Sequence, residues 1–211
     1  RANETSETVT FHTEPEPITL NVRDFGAFGD GVHDDTSAIQ AAILCCPKNA
    51  RVLIPKGTYP VTALFLKSDM ILEIQENAVL AGIYDRARTP ILPGQIEYDN
   101  EDGYYNLGSW EGNPIDSFAS MITGIYVKNV TICGKGVLDG RADFENWWSR
   151  PKDKIRAWRP RMIFLNHCEN ITVVGVTVQN SPAWNLHPYF SNQIRFLDME
   201  VKGPANSHNT D

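Results

Sequence analysis

A chain of 211 residues with a formal net charge of −7, 21% charged and 42% hydrophobic residues, has the size and balance of one globular domain. The acidic excess argues against general nucleic-acid binding, which relies on Lys and Arg to neutralise phosphates, and no apolar run approaches the roughly 18 residues of a membrane span. Cys45, Cys46, Cys133 and Cys168 show neither CxxC nor Cys/His metal spacing, so buried free thiols are expected and no cofactor is implied.

Residues 1–17 are polar, with Pro15 and Pro17 near the end, and read as a loosely docked lead-in to a single domain over 18–211. From Asn21 a strand gives way to turns at Gly26, Gly29 and Gly31, whose spacing fits no phosphate loop. Asp34, Asp35 or Thr36 then caps a short helix whose Ile39, Ala42 and Ile43 share one face. A solenoid exposes unpaired backbone at its end, and such a helix covers it. The Asp34-Asp35 pair is therefore read as a cap rather than as catalytic. Val52-Leu53-Ile54 is a buried strand and Pro55–Tyr59 a turn. Ala63–Leu66 and Met70–Ile74 make a first full coil with Ser68-Asp69 at its corner.

Residues 83–118 interrupt the pattern with a loop carrying Tyr98, Tyr104, Tyr105 and Trp110. Rings beside acids and amides suit a sugar, whose apolar face stacks on the ring, and equally suit a loop packing its own aromatics. A second insertion, 141–159, carries Trp147-Trp148. From Arg150 to Arg161 there are six cations, Arg150, Lys152, Lys154, Arg156, Arg159 and Arg161, against Asp153. This is either a surface for an anionic polymer or a solvated basic loop.

The end of the chain repeats itself. Arg161-Met162-Ile163 and Trp184-Asn185-Leu186 open two similar segments, one repeat apart, and Asn129-Val130-Thr131-Ile132 lies over Asn170-Ile171-Thr172-Val173 across a longer interval that includes the second insertion. A period in the low twenties with short apolar strands and polar corners predicts an all-β parallel β-helix. Asn129 and Asn170 satisfy an Asn-x-Thr sequon, yet each occupies a corner, and turn chemistry accounts for them without glycans. Carried forward with a slightly longer turn, the register puts Asp211 in or next to the column of Arg161 and Trp184. An acid, an indole and a guanidinium on adjacent rungs would form a groove for a charged sugar.

The opening Asp24-Phe25-Gly26-Ala27, Gly29-Asp30-Gly31 and Asp34-Asp35-Thr36, followed by Pro55, Gly57 and Tyr59, resembles the N-terminal end of the pectate-lyase-like superfamily of right-handed parallel β-helices, and implies that hand for this solenoid. Further on come Gly134–Gly140 with Trp147-Trp148, Arg159-Pro160-Arg161, Asn180-Ser181-Pro182-Ala183-Trp184 with His187-Pro188, and Asn209-Thr210-Asp211. This pattern is similar to glycoside hydrolase family 28, the polygalacturonases, and together with the Trp110-Glu111-Gly112-Asn113-Pro114 loop most to bacterial exo-acting members. The resemblance implies metal-free inverting hydrolysis of α-1,4 bonds in a pectic polysaccharide or oligogalacturonide. It implies a role for Asp211 in activating water; Arg161 and Trp184, sharing its column, and Asn209 and His187 beside the groove are the candidate substrate contacts, with a structural hydrogen bond to the next coil as the other reading of His187. The family's later Asp-Asp pair, Gly-His-Gly turn and Arg-x-Lys pair do not occur here. The chain is thus expected to be an N-terminal fragment, truncated on its C-terminal side and inactive alone. A start at Arg1 is compatible with a removed signal peptide and a secreted or periplasmic protein, while oligogalacturonide-degrading relatives leave the cytoplasm open. A calcium-dependent polysaccharide lyase and a non-catalytic carbohydrate-binding or tailspike-like solenoid remain as alternatives.

Overall fold

The computed structural model describes residues 16–97 and 104–203. Asn209 and Asp211, like His208 and Tyr98, lie outside the described residues, as does the lead-in before Glu16. Three parallel sheets wind into a β-helix. The first stacks Thr19–Asn21, Ala50–Ile54, Met70–Ile74, Lys128–Gly134, Glu169–Val174 and Asn192–Leu197. The second stacks Gly57–Val61, Ala78–Gly82, Val137–Asp139, Thr177–Gln179 and Glu200–Lys202. The third stacks Leu64–Phe65, Ile122–Ile125, Ile163–Asn166 and Leu186–Tyr189.

The sequence repeat is the pairing register. Ile122 pairs with Ile163 and Val130 with Ile171 across the longer interval, and Ile163 pairs with Leu186 and Ile171 with Ile194 across the shorter one. Strand side chains alternate between faces, so equal residues in register stack as inward columns. Val52, Leu72, Ile132 and Val173 form one such column, and Tyr59, Leu80, Leu138 and Val178 another, all fully buried. Val201 continues the second column, but no described coil covers that rung and it is 50% exposed.

Corners need backbone with positive φ. Asn49, Asp69, Asn129, Asn170 and Gln193 adopt it between 54° and 60°, a conformation that Asn and Asp tolerate better than most side chains. The amides also bond along the axis: Asn170 Nδ2 donates to Asn129 Oδ1 at 3.0 Å, and Asn129 Nδ2 to Asp69 Oδ1 at 2.8 Å. Both sequon asparagines are thus corner residues, as expected.

The helix Thr36–Cys45 covers the first coil with Ile39, Ala42 and Ile43 buried. The cap reading needs correction. Asp35 holds the N-cap position without a side-chain cap bond; its carboxylate, 1% exposed, instead accepts from Phe28 N at 2.6 Å and Gly29 N at 3.0 Å. It pins the Phe28-Gly29 end of the glycine-rich turn, while Gly31 N donates to Thr58 O of the strand Gly57–Val61. Asp34 accepts from Thr36 N and is paired with Arg88. The strand expected from Asn21 onward turns after that residue into a short 3-10 helix, Val22–Phe25. The cysteines are all free, but only Cys46 and Cys168 are buried; Cys45 is exposed at the helix end.

Both insertions leave the second sheet and re-enter at the third. They therefore gather along one edge of the third sheet, where their fold decides what its outer face presents. The basic cluster is largely consumed there. Arg150 pairs with Asp153 and Lys154 with Asp116, Arg156 donates to the Arg86 carbonyl, and Arg159 and Arg161 are buried. Trp147 and Trp148 build a second small core with Phe118, Ala142 and Ala157.

Candidate functional site

The outer face of the third sheet carries the candidate residues. Ile163 and Leu165 point into the core, while Phe164 faces outward beside His187, and Arg161 lies in the turn that leads into this strand. There its Cζ stands 5.3 Å from the Trp184 ring centroid and 5.4 Å from that of Phe164. Backbone pairing fixes this: Met162 N donates to Trp184 O at 3.1 Å, and the register continues through Phe164 and His187. His187 packs edge-on to Trp184 with centroids 4.7 Å apart, and against Phe164 at 5.3 Å and Tyr189 at 5.6 Å. Three of the five residues expected in the site are thus neighbours across one rung.

They do not form an open groove, which corrects the expectation. Arg161 is only 2% exposed, because the Ser109–Trp110 turn of the first insertion lies over it and Arg161 Nη2 donates to Ser109 O at 2.5 Å. Trp110 lies flat on Trp184, centroids 4.6 Å apart and planes within 5°, and also meets Trp158 at 4.7 Å. Tyr105 of the loop turns inward as well: it is 9% exposed and its hydroxyl donates to Asn166 Oδ1. A cavity of about 20 Å³ adjoins Arg161, bounded by Met121, Trp147, Pro160 and Met162. Open clefts of about 590 and 610 Å³ lie elsewhere, one at Asp34, Tyr84, Arg88 and Arg141, the other along Asp69, Asn129 and Thr131.

Burial sets the electrostatics. It lowers the Arg161 guanidinium to about 10, against a smaller upward pull from Tyr189, and Arg161 stays a cation at neutral pH. The His187 imidazole is pushed down to about 4, first by burial and then by the Arg161 charge, so the ring is neutral. Burial also lowers Arg159, with a contribution from Arg86. Among the described residues no carboxylate reaches ion-pair distance of Arg159 or Arg161; the arginines so paired are Arg51, Arg88 and Arg150.

Polar atoms left over in this region belong to the same group. Trp158 Nε1, Arg159 Nε, Arg161 Nε and His187 Nδ1 are buried without a hydrogen-bond partner among the described residues. Arg159 Nη1 reaches the Pro182 carbonyl. Trp158 and Arg159 were not singled out as site residues from the sequence. The available signal was spacing: Arg159 and Arg161, two apart and bracketing a proline, approach one indole cluster.

A family model described as rhamnogalacturonase A/epimerase, pectate lyase-like, matches residues 19–193. The chain is 38% identical over 181 residues to an exo-poly-alpha-D-galacturonosidase of Dickeya chrysanthemi, covering 84% of this chain and 28% of that protein. It is 29% identical over 195 residues to a probable polygalacturonase of Vitis vinifera, covering 89% and 38%. The chain thus spans well under half the length of these curated relatives. The solved structure of a family 28 exopolygalacturonase of Yersinia enterocolitica superposes with a TM-score of 0.74 at 26% identity, over 92% of this chain and 40% of the other.

Proposed function

Since the chain belongs to the rhamnogalacturonase A/epimerase, pectate lyase-like family, we propose that it serves a polygalacturonase that hydrolyses α-1,4 bonds of pectic galacturonan. The observation that carries this reading is the clustering of Arg161, Trp184 and His187 at one rung of the third sheet. A guanidinium suits a uronate carboxylate, and an indole suits the C–H face of its ring. The exo mode is supported by the similarity to the Dickeya exo-acting protein and by two insertions crowding one edge of the face.

Inverting hydrolysis needs a general acid and a base about 6.5 to 9.5 Å apart, with water between them. Parallel rungs repeat at roughly 4.8 Å, so acids on neighbouring or next rungs fall in that range. The sequence register assigns Asp211 to the coil following Trp184, where it would help to activate water, with Asn209 and His187 contacting substrate. His187, being neutral, would serve as a hydrogen-bonding group and not as a charge.

The test is turnover of polygalacturonate by a polypeptide carrying this chain through at least two coils beyond Asp211. Saturated products, with Asp211→Asn lowering kcat far more than it changes KM, support the reading. Unsaturated products whose formation stops on chelation would establish a lyase instead. Binding without turnover would leave a carbohydrate-binding solenoid.

A further inference from the structure

Trp110 lies among buried N–H donors that an indole ring cannot satisfy. Its ring is bordered by Trp158 at 4.7 Å, by Trp184 at 4.6 Å and by the Arg159 guanidinium at 6.0 Å, and Arg161 reaches the carbonyl of the residue before it. Three of these neighbours hold N–H donors with no acceptor among the described residues: Trp158 Nε1, Arg159 Nε and Arg161 Nε. Arg159 and Arg161 are 7% and 2% exposed. An indole offers none of them an oxygen. Buried donors are ordinarily satisfied, and each one left unmade costs about 1–3 kcal/mol. A buried cation without a counter-ion costs more, unless a negative group joins it.

The element that carries Trp110 is slight. Ser109–Trp110 pairs with Asn113–Pro114 as a minimal hairpin across Glu111 and Gly112, both at positive φ, and 111–114 are exposed. It can lift without unpicking the three-sheet core, since none of its pairs belongs to those sheets.

We propose that Trp110 is a plug in a uronate-binding subsite, and that Trp158, Arg159 and Arg161 are specificity-determining residues that receive the sugar's carboxylate when the hairpin lifts. A pyranose ring would then replace the indole on Trp184. Its carboxylate supplies acceptor oxygens, two of which a guanidinium takes in parallel. A neutral hexose has the same C–H face but brings no charge to the two arginines, so the subsite selects acidic sugars. This rests on the reading of the substrate as a uronide, but the measurement below needs no turnover.

Digalacturonate and its carboxyl-reduced counterpart, digalactose, are titrated into the 211-residue chain by calorimetry. Trp110→Ala is expected to bind digalacturonate at least tenfold more tightly than the parent chain does, and to discriminate against digalactose at least tenfold. Trp110→Leu keeps an apolar filler if the alanine variant does not fold. In either background Arg159→Met or Arg161→Met should erase the discrimination. Folded Trp110 variants that bind no better than the parent overturn the proposal. So does equal binding of digalactose, or discrimination that survives both arginine replacements. Binding that follows the expected pattern in a protein without hydrolytic activity would sink the reaction and keep the subsite. Hydrolysis of polygalacturonate with no effect at Trp110 would do the reverse.

Discussion

Arg161 and Trp184 stand one full coil apart in the chain and touch across one rung, guanidinium carbon to ring centroid 5.3 Å. The cation is sealed from solvent, and its neighbours are two aromatic rings and a backbone carbonyl instead of an acid. Such a residue is expensive for the fold, which makes it a good probe of what the site is for.

Replacing Arg161 by methionine should leave stability within about 1 kcal/mol of the parent or raise it. The loss of one hydrogen bond, about 1 kcal/mol, is offset by relief of the desolvation cost of an unpaired charge. Urea unfolding of the 211-residue chain measures this. A loss above roughly 3 kcal/mol would mean that a carboxylate compensates the guanidinium after all.

His187 gives a pH signature. Its folded value of about 4 lies below the ordinary 6.5, so on acidification the unfolded chain takes up this proton first. The stability of the neutral ring is complete above about pH 6.5 and is lost as pH falls toward 4, at a limit near ~1.4 kcal/mol per pH unit. His187→Phe should flatten that part of the stability curve. In NMR titrations the His187 ring should not titrate above about pH 5; a midpoint near 6.5 would show that it is solvated.

At the corner, Asn170 combines a φ of 54° with two axial bonds, one to Asn129 and one from Arg195. Asn170→Gly keeps the backbone and loses the bonds, costing about 1 kcal/mol, whereas Asn170→Val adds strain for a total of about 2–4 kcal/mol. If the two variants melted together, the ladder would be contributing nothing beyond conformation.

Gly134 marks a place where coils approach too closely for a side chain. An added Cβ would lie 2.0 Å from the Ile74 carbonyl oxygen, and the residue sits at φ 111°. Gly134→Ala should cost more than about 3 kcal/mol and depress the yield of folded protein. Gly26→Ala, with nothing within 4 Å of the added atom, carries only conformational strain and is the milder comparison.

Much of the scaffold could be read directly. The two intervals seen in the sequence became the pairing of Ile171 with Ile194 and of Val130 with Ile171, because a parallel ladder transmits sequence spacing without change. Asn129 and Asn170 announced corners because few other side chains accept that backbone. The helix Thr36–Cys45 was equally clear from the spacing of Ile39, Ala42 and Ile43, although Asp35 turned its carboxylate to the Phe28-Gly29 turn instead of capping the helix.

The amino-acid sequence by itself determined the solenoid, its period, its family and the meeting of Arg161 with Trp184, since these follow from local alternation and rung spacing. Only the tertiary structure decided that the face is roofed: whether Trp110 leaves Trp184 open or lies flat upon it depends on how an irregular insertion packs. No periodicity governs such a loop; its position is set by long-range contacts between side chains that share no repeat.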